Sequence, residues 1–99
     1  MNTYVLSFRG HPAPGSGDDL AEKWGAWMAE LGSSIANPGS RVGDTATVSA
    51  DGAADLAPSV LSGFMLLNAD TLSAATDLAR GCPGLAYGVS VEVGELVEL

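Results

Sequence analysis

The residues of this chain that can do chemistry are few and scattered. His11 is the one histidine, and it follows Arg9 and Gly10 at an apparent strand end. Its ordinary pKa lies near neutrality, which makes it the candidate for proton transfer; an exposed loop histidine is the plainer reading, given the prolines and glycines that follow. Arg9 and Arg41 are two of only four basic residues. Either would hold a carboxylate ligand or simply pair with Glu92 or Glu95. Arg9 is the better ligand-binding candidate, because it ends a strand on its mixed face. Trp24 and Trp27 can wall a planar ligand, although a stripe at helical spacing is also what a sheet-covering helix needs for its core. Cys82 stands alone, so no internal disulfide forms. It follows a helix C-terminus and lacks the N-terminal dipole that activates a thiolate, so it reads as a packed structural thiol. One His and one distant Cys, with no carboxylate cluster at ligand spacing, give no metal site, and no cofactor motif occurs. The glycines of GHPAPGSG do not make a phosphate loop, since Asp18 and Asp19 follow and would repel the anion.

The elements that must position these groups follow from period and punctuation. Tyr4, Leu6 and Phe8 alternate with Val5, Ser7 and Arg9, which predicts a strand over about residues 3–9 with one apolar face. Gly10 to Gly17 holds two prolines and three glycines and is a loop. Asp19 and Glu22 have capping-box spacing, and Leu20, Trp24, Trp27, Met28 and Leu31 then form one helical stripe ended by Gly32 as a left-handed cap. Gly25 interrupts that helix and marks a close approach to another backbone. Asn37-Pro38-Gly39 reads as a turn between two short extended arms, and Thr45 to Ser49 as the second strand of the sheet, followed by an Asp51-Gly52 turn. Leu61 to Leu67 is the next strand, and Asn68 to Asp70 end it. Asp70 caps a second helix with its apolar face at Leu72, Ala75, Leu78 and Ala79, stopped by Gly81 and Pro83. Val89, Val91 and Val93 alternate with Ser90 and Glu92 in a last strand. The order is β-α-β twice over, an α+β arrangement.

With 99 residues the chain fits a single domain, 1–99, that buries only about 60 to 70% of its unfolded surface. An apolar fraction of 46% against 16% charged is rich for so small a chain and favours a homodimer. Twelve acidic and four basic residues give a net charge of −8, which argues against nucleic acid and membrane surfaces as partners. No apolar run approaches the roughly 20 residues of a membrane span, and the opening MNTYVLSFRG reads as a strand and not a signal segment, so a cytoplasmic location is expected.

These features together resemble the YCII-related proteins, including their DGPF-type branch. The matching stretches are YVLSFRG, WGAWMAELGSSI followed by NPG, GFMLLNADTLSAATDLARGCPGLAYG, and the closing VEV. The DGPF signature itself is absent; where it would fall stand Ser49, Ala50, Asp51 and Gly52. The resemblance implies a ferredoxin-like βαββαβ fold of the dimeric α+β barrel type. Its two helices cover one face of the sheet, and the other face meets a second subunit. Val5, Ser7, Arg9, Ser90 and Glu92 then line the space between sheets, a natural small-molecule site. Some relatives are thought to pair a His near the first helix with an Asp at the end of the strand before the second helix. By that pattern His11 sits in the preceding loop, and the carboxylate position holds Asn68, an amide that can orient a ligand but cannot act as a base.

Two readings of function remain. The favoured one is a small-molecule-binding or accessory regulatory module without demonstrable catalytic residues, the regulatory role resting on the family's association with sigma-factor-type regulators. The alternative is an isomerase, lyase or hydrolase of a small organic acid, with His11 as proton shuttle, Arg9 on the carboxylate, and Asn68 or Tyr87 polarising a carbonyl. The ligand-binding set common to both is Arg9, His11, Trp24, Trp27, Asn68 and Glu92.

Overall fold

The computed structural model describes residues 1–11, 17–48, 50 and 60–98, Asp18 by its backbone alone. Alternation and helical period place most elements where the residue pattern puts them. Strand β1 spans Asn2–Arg9, helix α1 Gly17–Leu31, β2 Ile35–Arg41, β3 Leu61–Ala69, α2 Leu72–Ala79 and β4 Ser90–Glu95. Short 3-10 turns cover Gly32–Ser34 and Pro83–Tyr87. The strands form one antiparallel sheet in the order β2-β3-β1-β4. That order is the ferredoxin-like one, in which each β-α-β unit returns its second strand parallel to the first with a strand of the other unit between them, and a helix crosses one face.

The face under the helices is the core. Tyr4, Leu6 and Phe8 from β1 and Met65, Leu67 and Ala69 from β3 are buried there, with Leu20, Trp27 and Leu31 of α1 and Ala75 and Ala79 of α2 above them. Full burial of a side chain such as Leu6 or Leu67 is worth about 1.5–3 kcal/mol each, so this layer holds the helices to the sheet. Cys82 is buried within the same cluster, and burial pushes its thiol pKa up despite backbone N–H groups of Gly84 and Leu85 nearby.

The structure corrects several local expectations. Thr45 to Val48 belongs to no strand, and Val48 is 90% exposed; Ser49 and the Asp51-Gly52 turn lie outside the described residues. The second strand is instead Ile35–Arg41, which takes the Asn37-Pro38-Gly39 turn into the ladder as an irregularity. Asn37 Oδ1 accepts the Gly39 N–H at 2.8 Å, Gly39 adopts φ +69°, and the register shifts between Ile35 and Asn37 and again between Asn37 and Ser40. Pro38 is tolerated because β2 is an edge strand, where a missing N–H need not break a ladder. Helix α1 begins two residues before Asp19, which places that residue inside the first turn and not at the cap. Gly25 meets no described atom within 4 Å of where a Cβ would be, so it marks no close approach. The cap of α2 is Thr71 and not Asp70: Thr71 is extended (φ −142°, ψ 162°), and its Oγ1 accepts the Ala74 N–H at 3.0 Å. Gly32, with φ +52°, is left-handed where α1 ends, as its position implies.

Candidate functional site

The helices cover one face of the sheet, and among the described residues no helix covers the other. Strand alternation puts Thr3, Val5, Ser7 and Arg9 of β1 on that open face, each half-buried by its neighbours. Cross-strand register then builds it in rows. Thr3 lies opposite Asn68, Val5 lies between Leu66 and Gly94, Ser7 lies between Phe64 and Glu92, and Arg9 lies opposite Ser90. The middle of the face is therefore apolar, centred on Val5, Leu66 and Phe64, and Phe64 is 38% exposed.

Its two ends are polar in different ways. At one end the Arg9 guanidinium lies 3.6 Å from the Glu92 carboxylate, with 40% and 64% of the side chains exposed. So exposed a pair contributes little to stability, at most about 1 kcal/mol. Among the described residues nothing else engages the guanidinium, so its other donors can meet an anion. At the far end the Thr3 hydroxyl donates to Asn68 Oδ1 at 3.1 Å, which leaves the Asn68 amide N–H groups as what that residue presents. Arg9 lies six positions on from Thr3 along β1, roughly 20 Å at strand rise, so no single-ring ligand touches Arg9 and Asn68 of one chain together.

The remaining residues of the candidate set lie elsewhere. Trp24 and Trp27 are on the helix side and pack edge-on with Phe8, at ring-centroid distances of 5.0 Å for Phe8–Trp24, 6.3 Å for Phe8–Trp27 and 5.2 Å between the two indoles. The Trp27 indole N–H donates to the Leu78 carbonyl at 3.3 Å. His11 is exposed just beyond β1. The preceding Gly10 turns the chain with φ +95°, and its N–H donates to Val60 O at 2.7 Å. A Cβ at Gly10 would stand 3.1 Å from Gly88 O, so the chain leaves β1 hard against the start of β4.

A contact that residue pattern does not announce is Lys23 with Tyr87. The Lys23 ammonium donates to the Tyr87 hydroxyl at 3.1 Å and stands 5.3 Å from the ring centroid. The hydrogen bond to Tyr87 is the main reason that the Lys23 pKa is raised. The pair ties α1 to the 3-10 turn before β4. Among the described residues, no group of three or more His, Cys, Asp or Glu side chains is placed to hold a metal ion, and no helix is long and apolar enough to cross a membrane.

A four-stranded antiparallel sheet with helices on one face, in this strand order, defines an α+β protein with a ferredoxin-like fold. Among solved structures, the chain is similar to 5-chloro-2-hydroxyhydroquinone dehydrochlorinase (TftG) from Burkholderia phenoliruptrix AC1100, determined in complex with 2,5-dihydroxybenzoquinone. The match has a TM-score of 0.63 and 15% sequence identity, and covers 98% of this chain and 95% of that one. No protein-family model and no curated protein matches the chain.

Proposed function

We propose that the protein is a YCII-like dimeric α+β barrel of one domain that binds a small molecule in the cytoplasm, as a binding or accessory regulatory module and not a catalyst. The observation that carries this reading is the open face of the sheet, apolar at Val5, Leu66 and Phe64 and polar at Arg9 and Glu92. A second copy laid on that face removes its apolar centre from water and encloses a space whose charged wall is Arg9 with Glu92. A small planar acid or acidic quinone fits such a wall, with the guanidinium taking the negative oxygens and Phe64 and Leu66 meeting the ring. The ligand held by TftG, 2,5-dihydroxybenzoquinone, is of that chemical type and is a sensible first probe. The enzyme alternative has less support, because His11 is exposed and Asn68 lies at the opposite end of the face from Arg9.

Two measurements test the reading. Sedimentation at micromolar concentration is expected to give a particle of about 20 kDa, twice the 10.0 kDa chain, and Phe64→Glu is expected to give the single chain while staying folded. A wild-type protein that sediments as one chain would refute the dimer. Titration with 2,5-dihydroxybenzoquinone, followed in the visible spectrum, is expected to saturate for the wild type and to weaken about tenfold or more in Arg9→Met. Equal binding by both would remove Arg9 from the site.

A further inference from the structure

We infer that Ser7 and Gly94 complete the ligand site proposed on the open face, an inference that rests on that reading: the Ser7 hydroxyl donates to the ligand beside Arg9, and the missing side chain of Gly94 seats the ring. The ligand class is a flat six-membered ring that carries an ionised oxygen next to a carbonyl.

The chain itself gives no reason for glycine at position 94. Gly94 lies inside β4, where a missing side chain weakens a strand and commonly marks the close approach of a ligand or of another backbone. Its backbone is not left-handed, so no turn requires it. A Cβ there would meet only Val5 Cγ1, at 3.5 Å, which is ordinary van der Waals contact. The reason for glycine is therefore sought in what lies on the face. Gly94 stands opposite Val5, with Leu66 on the other side of Val5, so it leaves a notch along the edge of the apolar centre.

Ser7 faces the same space one row away. It lies between Phe64 and Glu92, is half-buried, and among the described residues its hydroxyl has no hydrogen-bond partner. Register brings the cation to it. Arg9 stands opposite Ser90, but its guanidinium meets Glu92, the residue opposite Ser7, so the charge leans back over the Ser7 row. A negative oxygen on the guanidinium and a neighbouring carbonyl on the Ser7 hydroxyl then hold one edge of a ring. About 7 Å of strand separates Ser7 from Val5, the span of a six-membered ring with its oxygens, so the body of the ring lies over Val5 and in the Gly94 notch. This ligand, and not a side chain of the second copy, fills the notch. An apolar side chain there would bury the Ser7 hydroxyl without a partner, which costs free energy, whereas a ring with a polar edge satisfies it.

The test is the visible-spectrum titration of the whole chain with 2,5-dihydroxybenzoquinone, in which a carbonyl and an acidic hydroxyl are neighbours. Ser7→Ala is expected to weaken binding about three- to tenfold, and Ser7→Thr, which keeps the hydroxyl, to restore most of it. Gly94→Ala is expected to weaken binding about tenfold, while urea unfolding shows a chain at least as stable as the wild type and sedimentation still gives two chains. A structural role for Gly94 would instead lower the stability. Glu95→Gln, opposite Tyr4 on the helix side of the sheet, should leave the affinity unchanged. If either Ser7→Ala or Gly94→Ala binds as tightly as the wild type while Arg9→Met does not, this inference falls and the site proposed above stands. If Gly94→Ala sediments as a single chain, the notch belongs to the second copy, which also overturns it. A wild type that never saturates removes the ligand, and this inference with it, before any variant is made.

Discussion

Gly39→Ala tests whether β2 is part of the sheet in the bulged form described. Gly39 has φ +69°, and a Cβ built there lies 1.8 Å from the carbonyl oxygen of Phe64, 2.6 Å from its carbon and 3.0 Å from Met65 Cα. Two costs follow. The left-handed backbone costs an L-residue about 1–2 kcal/mol. The clash is with backbone on the neighbouring strand, so no side chain can yield; β2 must retreat from β3 by roughly an ångström or more, and the hydrogen bonds beside the bulge are weakened at about 0.5–1.5 kcal/mol each. The sum is about 3 kcal/mol or more, a large part of a small domain's stability of about 5–15 kcal/mol. Urea unfolding should report it, with two glycine controls. Gly32→Ala, at φ +52° in open space, should show the backbone cost alone, about 1 kcal/mol. Gly25→Ala, in a helix interior with nothing near, should stabilise by up to about 1 kcal/mol. If Gly39→Ala costs no more than Gly32→Ala, then β2 does not press its bulge against Phe64, and the pairing described is wrong.

Other outcomes follow from the same geometry. Thr71→Ala should cost about 1 kcal/mol in thermal or urea unfolding through loss of the Ala74 N–H acceptor, whereas Asp70→Ala should change little. Glu92→Gln should change stability by less than about 1 kcal/mol, since its Arg9 partner is well exposed, while altering binding of an anionic probe at that end of the face; a large loss of stability would mean that the pair is buried in the assembly. Burial raises the Cys82 pKa above the ordinary 9.0, so the folded state holds the thiol proton more tightly than the unfolded chain. That stabilisation is complete below the unfolded value and is lost as pH rises through the folded one, so urea curves should weaken above about pH 9 in the wild type and not in Cys82→Ala. The raised Lys23 pKa has the same sign but acts only above 10.5, outside a pH 7–10 series.

Much of this architecture is legible in the residues because it rests on period. The stripe from Leu20 to Leu31, the alternation of Tyr4, Leu6 and Phe8, and the Val91–Val93 alternation each describe one face of one element, and local pattern suffices for that. Strand β2 is illegible for the same reason: Asn-Pro-Gly is a turn by every local rule, and only an edge position beside β3 lets it become a bulge. Thr45 to Val48 shows the converse, with strand propensity but no strand to pair with. The Thr71 cap differs from the expected Asp70 by one residue, since both can cap and only backbone dihedrals choose. The Lys23–Tyr87 contact joins residues 64 apart, and nothing in either neighbourhood announces it. In the candidate set, adjacency of Arg9 and Glu92 follows from alternation plus the pairing of β1 with β4. The separation of Trp24 and Trp27 from them follows only once helix and open face are known to be opposite sides of one sheet.

That separation bears on what the open face can do. General acid-base chemistry needs a group that titrates near neutrality within hydrogen-bond reach of the bound molecule. The ionisable groups that the sheet places on this face among the described residues are the Arg9 guanidinium and Glu92, which is exposed and ion-paired to it. His11 is two residues past Arg9, about 7 Å further along an extended chain and beyond the turn at Gly10. A ligand seated between Phe64 and Arg9, as proposed, would be oriented by a guanidinium and an apolar surface, with no proton carrier beside it among the described residues. Binding through Arg9 that is indifferent to His11→Ala agrees with this arrangement, and turnover abolished by His11→Ala would require the residues after Gly10 to bring the imidazole back over the sheet.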